Sequence, residues 1–433
     1  MSATAARRAA LRVLRALRGG ELLDRAIRRE IDPLPDRDRG WSRELVVGTV
    51  RLRGRLDAAL ARFSKLPLDS LDDDVLDGLR LGAYQLFEMH GVPPYAAVSQ
   101  SVELVKPGNP GGARLVNAVL QALLRSGPPE CPPFETDPAT WLTDWGSHPR
   151  WLVERWMERF GAAETRRLVE TNNSRAPLYL RPIGTTVQVA VDRLAAAGIV
   201  AEATGFADTI RLADASQVGC ALDATAAIVQ DPAAAAVAEF ADFDAGGIVA
   251  DLCAAPGGKT LNLAGGTDRA SPRLVVAADA SIGRLRRLRK NLDRFPALPI
   301  GIVAADARRP ALRPVDGVLV DAPCTGTGTF RRHVDGKWRV TPDDVMALAA
   351  LQSQILEAAA GIVGPGGLLV YATCSLEREE NEERIESFLE LHYEFAMEPS
   401  ARTGPAWLEN GMLRILPHVH GFDGSFAARM RRR

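Results

Sequence analysis

Cysteine is scarce in this chain, and Cys131, Cys220, Cys253, Cys324 and Cys374 include no Cys-x-x-Cys pair. That excludes the common zinc frameworks, and an odd number of thiols excludes a fully paired disulfide scaffold. Reduced thiols in a cytoplasmic protein are the expectation, with no metal. Long hydrophobic runs are missing too: without about 18 consecutive apolar residues, no membrane span or membrane partner is expected. The formal net charge is only −1, so the sum of charge says nothing about a polyanionic partner and its placement matters more. Lysine is rare. Only Lys65, Lys106, Lys259, Lys290 and Lys337 accompany the many arginines, which makes a lysine inside a motif informative.

What is present organises into three parts. A length of 433 residues suits about three domains at roughly 150 residues each. Residues 1–130 read as helix after helix (4–18, 21–31, 38–63, 71–89, 95–106, 112–125), interrupted by Gly19-Gly20, Pro33, Pro67, Val92-Pro93-Pro94 and Pro107–Gly112. The first of these, although arginine-rich like a transit peptide, carries Ala10, Val13, Leu14 and Leu17 on one stripe, as an ordinary amphipathic helix does. A proline-rich link near 127–138 follows. Residues 131–240 mix a helix at 150–171, a strand at 178–181 and a helix at 187–197 with short apolar runs, which predicts a small α+β module. From 241 to 433 the pattern alternates. Apolar strands at 248–252, 274–278, 300–305, 315–320 and 368–373 enclose helices at 258–265, 281–294 and 342–363. Such alternation predicts a Rossmann-like α/β domain with a parallel sheet, whose ligands lie at the carboxyl ends of the strands.

The segment Asp251-Leu-Cys-Ala-Ala-Pro-Gly-Gly-Lys-Thr260 follows the first of these strands and opens a helix. It is not a complete P-loop, because Cys253 stands where the first glycine belongs, and no G-x-G-x-x-G fingerprint accompanies it. An NTPase is therefore a rival without its phosphate loop. Asp251, Asp279, Asp306 and Asp321 each fall at or just past the end of a different strand. One aspartate there would mean little, since aspartate caps helices and ends strands. Four at successive strand ends point to a nucleoside site, with Asp279 suited to ribose hydroxyls and Asp306 to an adenine amine.

Two further segments, Asp321-Ala-Pro-Cys324-Thr-Gly-Thr-Gly328 and Tyr371-Ala-Thr-Cys374-Ser375, put thiols at strand ends. Lone cysteines are usually inert buried hydrophobes, the reading expected for Cys131 and Cys220. Two thiols beside a methyl donor suggest another chemistry. Carbon 5 of cytosine is a poor nucleophile until a thiolate adds to carbon 6, and a carboxyl group near N3, for which Asp321 is the candidate, would stabilise the charge that builds there. Chemistry alone does not say which thiol attacks. Ser375 is expected to cap a helix beginning directly after Cys374, and a helix N-terminus favours thiolate, whereas Glu377, Glu379 and Glu380 oppose it.

Taken together, DLCAAPGGKT, DAPCTGTG, RRHVDGKW, YATCS and the terminal DGSFAARM resemble the RsmB/NOP family of RNA cytosine-C5 methyltransferases, over the whole catalytic half. The resemblance implies S-adenosyl-L-methionine as cofactor. It implies Cys374 as nucleophile, Cys324 as the thiol that assists release, and Asp321 as the third catalytic residue. Cys253, Ala254, Ala255, Pro256, Gly257, Gly258, Lys259, Asp279, Asp306 and Asp321 would contact or line the cofactor pocket. DNA cytosine methylases use a Pro-Cys thiol as nucleophile, so the reversed order is the alternative. In the N-terminal part, Glu44-Leu45-x-x-Gly48, Leu79-Arg80-Leu-x-x-Tyr84 and Val116-Asn117-x-Val119-Leu120 are similar to the all-helical RNA-binding NusB fold, which points to the RsmB (Sun, Fmu) branch. Segment 1–30 holds eight arginines against three acids, suited to phosphates, although any one of them is as readily a solvated helix face. Arg331, Arg332 and Lys337 are further candidates for phosphate contacts, whereas Trp338 reads as core. The expectation is a monomeric enzyme methylating a cytosine of small-subunit (16S) rRNA. The rivals are a tRNA cytosine-C5 methyltransferase and a non-catalytic RNA-binding or antitermination factor.

Overall fold

The computed structural model describes residues 3–266 and 271–433 and resolves into two units. One comprises residues 1–174 together with Phe330–Arg339, and the other residues 175–329 and 340–433.

The first unit is helical. Helices Ala5–Arg18, Leu23–Glu30, Asp36–Arg51, Arg53–Ala61, Asp73–Phe87, Pro94–Val105 and Pro110–Ser126 are followed by Pro138–Thr143, Arg150–Phe160 and Ala162–Asn173. Ala10, Val13 and Leu14 are buried as their stripe requires, in one core with Leu45, Leu79, Val116 and Leu120. Two helices expected to be continuous are broken. Between Arg150–Phe160 and Ala162–Asn173 the cause is local: Gly161 adopts φ +80°, a conformation open chiefly to glycine. Between Asp36–Arg51 and Arg53–Ala61 the cause is distant. The Ser147 hydroxyl and the Lys337 ammonium both donate to the Arg51 carbonyl at 2.9 Å, and the Trp338 indole donates to the Val50 carbonyl at 2.7 Å. These side chains serve carbonyls at the end of the first helix, while the Gly54 amide turns to the Ser147 hydroxyl at 2.9 Å.

Lys337 is therefore not a phosphate ligand. Its side chain is buried, donating also to Asn173 Oδ1 at 3.0 Å. Trp338 packs against the helical core, as expected of it.

The second unit begins with a four-stranded antiparallel sheet, β1 (Leu178–Pro182), β2 (Ala201–Ala203), β3 (Ile210–Leu212) and β4 (Ala227–Val229), in the order β2-β3-β1-β4. Leu180, Leu194, Ile210 and Leu212 fill the core beneath it. This is the α+β module. Helix Pro232–Ala241 leads from it into a nine-stranded sheet. Its parallel half consists of β5 (Ile248–Asp251), β6 (Leu274–Asp279), β7 (Ile300–Ala304), β8 (Val315–Asp321) and β9 (Val363–Thr373). The remaining strands are β10 (Phe395–Met397), β11 (Leu408–Glu409), β12 (Met412–Ile415) and β13 (Ser425–Arg432). The order is β11-β12-β13-β9-β8-β5-β6-β7, with β10 also on β13.

The expected helical, α+β and α/β parts are all present. The antiparallel strands β10–β13 are an addition that alternation does not reveal. Strand β13 lies between β9 and β12 and is buried on both faces, so it has no polar side to alternate with. Its Arg429 reads as a surface residue, yet it is buried, donating to Glu398 and to the carbonyls of Ala241 and Asp242. Helix Pro342–Ile362 is, among the described residues, the one long and apolar enough by length and composition to cross a membrane. It buries Val345, Ala349, Gln352, Leu356 and Ala359, and its N-terminus is closed by a Thr341–Asp344 capping box.

Burial, with the nearby charges of Arg51 and Arg55, pushes the Lys337 ammonium well below its ordinary value. The unfolded chain therefore binds more protons between that depressed value and the ordinary lysine range, so stability rises as pH rises through the window. Lys337→Met should flatten this rise. Urea unfolding of both proteins, followed between about pH 7 and about pH 10, checks it, and equal slopes would remove the claim.

Candidate active site

In the nine-stranded sheet β5 leads to β6 and β7 on one side, and the chain then crosses to β8 and β9 on the other. The reversal falls between β5 and β8, and crevices at such reversals hold ligands beyond the strand ends. Asp251 closes β5, Asp279 closes β6, Asp321 closes β8, and Asp306 lies two residues past β7. Cys374 follows β9 directly.

The loop after β5 is shaped by its neighbours. The Ala254 amide donates to the Ala278 carbonyl at 2.9 Å, and the Ala255 amide to Asp279 Oδ2 at 3.3 Å. Gly257 sits at φ +106°, and a Cβ on Gly258 would come within 3.0 Å of the Gln230 amide. Asp279 also accepts from the Ser281 amide at 2.9 Å and pairs with Arg284 at 3.1 Å. Asp251 is buried and accepts from the Thr260 hydroxyl at 2.7 Å, while its Oδ1 has no partner in the protein. Burial pushes its carboxyl up to about 7, against the Thr260 bond that lowers it. A buried oxygen left without a donor is costly, of the order of 1–3 kcal/mol, and it faces the need of a nucleoside or amino-acid ligand for an acceptor. The glycine-bearing loop and this orphaned acceptor fit S-adenosylmethionine.

Lys259 reaches across the reversal to Asp321 Oδ2 at 2.7 Å. Burial alone would lower its ammonium. The Asp321 carboxylate, with the charges of Cys374 and Asp251, overrides this and holds it above its ordinary value. Asp306 stands apart from this group. It is half-exposed and pairs with Arg308 of its own loop at 2.6 Å, which, with the Arg308 amide, holds its carboxyl down at about 2.

The Sγ atoms of Cys324 and Cys374, fifty residues apart in sequence, lie 3.4 Å from one another, and the Cys374 amide donates to the Cys324 sulfur. The side-chain hydrogen bond with Cys374, then burial, pushes the Cys324 thiol well up, against the Cys374 amide that lowers it. Burial and the charges of Asp251, Asp321 and Asp279 push the Cys253 thiol up as well. By contrast, Cys131 and Cys220, expected to be buried, are exposed. Cys131 lies in the proline-rich stretch, and Cys220 lies on the outer face of a short helix whose Ala221 enters the core instead.

Ser375 does not cap a helix. A short 3-10 turn at Arg378–Glu380 intervenes, and the helix begins at Glu382. The Ser375 hydroxyl instead donates to Glu380 and accepts from the Glu377 amide at 3.0 Å. Behind the thiols, Gly328 donates to the Cys374 carbonyl at 2.9 Å, and Gly424 to the Gly328 carbonyl at 2.7 Å. Sequence reasoning missed Arg284, Gln352, Glu380 and Gly424 as site supports. Glu380 carries the least signal, since Glu-Arg-Glu-Glu-Asn-Glu-Glu reads as a solvated acidic helix face.

In the helical unit, Arg12 pairs with Glu30, Arg15 and Arg18 with Asp74, and Arg29 with Glu21 and Glu30. Part of the basic segment 1–30 is thus occupied within the unit.

Comparison with known proteins places this arrangement. Residues 241–431 match the model of 16S rRNA methyltransferase RsmB/F, residues 4–125 the NusB family, and residues 148–219 the ferredoxin-like domain of RsmF/B-like methyltransferases. A ribosomal RNA small subunit methyltransferase B from Pseudomonas putida is 35% identical, over 98% of both chains. A probable ribosomal RNA small subunit methyltransferase B from Synechocystis is 34% identical, over 95% of this chain and 94% of that one. The chain belongs to the RsmB/F family of 16S rRNA methyltransferases. It is an RNA methyltransferase that depends on S-adenosylmethionine. The solved structure of a methyltransferase homolog from Pyrococcus horikoshii, 28% identical, aligns with a TM-score of 0.56 over 67% of this chain and 97% of its own. That of PH0851, 24% identical, aligns with a TM-score of 0.79 over 99% of both chains and speaks for the fold.

A Cβ on Gly424 would lie 2.7 Å from Gly328 Cα and 2.9 Å from a Leu376 methyl. Since backbone cannot yield as a side chain end can, Gly424→Ala should cost about 1–3 kcal/mol. It should also lower methyl transfer more than cofactor binding, because the displaced Gly328 donates to the Cys374 carbonyl. Thermal melting and calorimetric titration with S-adenosylmethionine measure the two effects. An undisturbed melting temperature would mean the contact is slack.

Proposed function

We propose that this enzyme methylates carbon 5 of a cytosine in 16S rRNA through a transient bond between Cys374 and carbon 6. The observation that carries this reading is the pair of thiols 3.4 Å apart beside the Lys259–Asp321 ion pair. Asp251, Asp279, Asp306 and the loop Cys253–Lys259 would hold S-adenosylmethionine, which when bound supplies the methyl group as an electrophile. Asp279 offers its carboxylate to ribose hydroxyls, and Asp306 would take the adenine amine in exchange for part of its contact with Arg308.

The thiolate of Cys374 adds to carbon 6 of the ring, and the electron pair of the 5,6 double bond becomes available at carbon 5. Asp321, steadied by Lys259, faces N3, where the charge accumulates. Once carbon 5 carries the methyl group, a base removes its remaining proton. That electron pair restores the double bond, and the Cys374 thiolate departs. Cys324, whose proton is held by burial and by its neighbour, is ill suited to attack, and the family resemblance gives it the part of assisting release. The target cytosine must be presented unstacked, since carbon 6 is hidden within a stacked helix. The NusB-like part supports RNA docking, and functional divisions at 1–130, 131–240 and 241–433 follow from these assignments, with a monomer as the working unit.

Asp279→Ala should weaken S-adenosylmethionine binding by about 1.5–3 kcal/mol, the worth of a hydrogen bond to a charged group. Calorimetry on the folded variant tests this, and unchanged affinity would move the ribose site elsewhere. The thiols are separated by trapping. Cys374→Ala should bind both ligands and transfer no methyl group. Cys324→Ala should methylate but leave RNA joined to the protein, in a species that survives denaturing electrophoresis and vanishes in Cys324→Ala/Cys374→Ala. Trapping by Cys374→Ala instead would reverse the roles. Full activity in both single variants would remove covalent catalysis. Bisulfite sequencing of rRNA and tRNA from cells with and without the gene separates a 16S target from a tRNA one, and no change in either would favour a non-catalytic RNA-binding factor.

A further inference from the structure

We propose that Glu380 is the positioning residue that fixes the two thiols relative to one another, a role that rests on reading Cys324 and Cys374 as the reacting pair. The carboxylate is wholly enclosed and faces donors on both oxygens. Oε1 accepts from the Thr325 amide at 2.9 Å and from the Gln352 side chain at 3.0 Å. Oε2 accepts from the hydroxyls of Thr325 and Ser375. Thr325 and Ser375 are the residues directly after Cys324 and Cys374. One acidic side chain therefore gathers the backbone just beyond each thiol, although the thiols come from different strands.

The surroundings turn this into a frame. Gln352, on helix Pro342–Ile362, also donates to the Pro323 carbonyl at 3.0 Å, so the residues on both sides of Cys324 are held. The Tyr371 hydroxyl donates to the Glu380 carbonyl at 2.6 Å, fixing the turn to β9. Asn381 donates to the Ser375 carbonyl at 2.9 Å. The Thr325 and Ser375 hydroxyls lie 3.1 Å apart, closing the ring around the carboxylate.

An ionised carboxylate is acceptor-only, and here it meets four donors. Glutamine offers one acceptor oxygen and two protons in the same volume. It would set an amide group against either two hydroxyls or an amide and Gln352. Burial pushes the Glu380 carboxyl up, against the four donors that lower it. A merely structural acid would stabilise the fold without altering the distance between the sulfurs, whereas a positioning residue alters both the distance and the turnover.

The test uses the full chain with Glu380→Gln and, independently, Ser375→Ala. The first readout is methyl transfer to 16S rRNA. The second needs no RNA: diamide, which takes up the two thiol hydrogens and their electrons, joins Cys324 to Cys374, and mass spectrometry follows the rate. In folded Glu380→Gln, kcat should fall by about ten-fold or more, while KM for RNA and the affinity for S-adenosylmethionine stay within about two-fold, as expected for misplaced reacting groups. The joining rate should fall several-fold, with Ser375→Ala intermediate in both. An unchanged joining rate in either folded variant overturns the proposal, as does a loss of kcat matched by an equal loss of cofactor affinity. If Glu380→Gln yields no folded protein, Ser375→Ala decides by the same measure. If the unsubstituted enzyme methylates no cytosine, the reading of its function fails, while the joining rates still decide the role of Glu380.

Discussion

The site depends on the parallel pairing of β5 with β8 and of β8 with β9. In that register Asp251 stands opposite Leu319, and Asp321 opposite Ala372. The strands therefore end nearly level, and the three segments that leave them, beginning at 252, 322 and 374, emerge side by side. A slip of one residue would turn every side chain to the other face of the sheet, taking Asp321 away from Lys259. The buried rows of valine, leucine and alanine on β5, β8 and β9 hold the register. Their packing serves the placement of a few polar atoms at one edge.

Those polar atoms are handled in two ways. Asp321 and Glu380 are matched with donors, one by an ammonium and the other by two hydroxyls, an amide and a glutamine. Asp251 is matched on one oxygen only. The pairing with Asp321 explains why Lys259 stays protonated in a place where burial would discharge it, and the hydrogen bond with Cys374, together with burial, explains why Cys324 keeps its proton beside a second thiol.

Much of this was legible from residues alone. The strand-end aspartates, the glycine loop and the two thiols each carry a local pattern, and the α/β alternation places them at one edge of the sheet before any coordinate is known. Illegible were features whose cause lies far away in sequence. The break at Leu52 has no proline to announce it, and Gly54 alone does not betray it, because the groups responsible are Ser147, Lys337 and Trp338. Glu380 sits in a run that resembles a solvated helix, and only the fold shows it enclosed by Thr325, Gln352 and Ser375. Strand β13 hides for the opposite reason, since burial on both faces removes the alternation that would reveal an edge strand.

The stretch after the Pro-Cys loop shows how misleading proximity in sequence can be. Arg331 to Trp338 follows Thr329 closely, and its basic residues suggest a grip on nucleic acid. The chain, however, contributes Phe330–Arg339 to the helical unit. There Asp335 accepts from the Leu23 amide at 3.4 Å, Lys337 serves the Arg51 carbonyl and Asn173, and Trp338 serves the Val50 carbonyl. A lysine is a strong phosphate ligand when its ammonium is free to meet solvent. Lys337 has exchanged that freedom for two hydrogen bonds inside a core, at the cost of a strongly depressed affinity for its proton. Its identity is fixed by the carbonyl it satisfies, so the motif that looks like a phosphate grip is, at this position, a clasp that completes the helical unit.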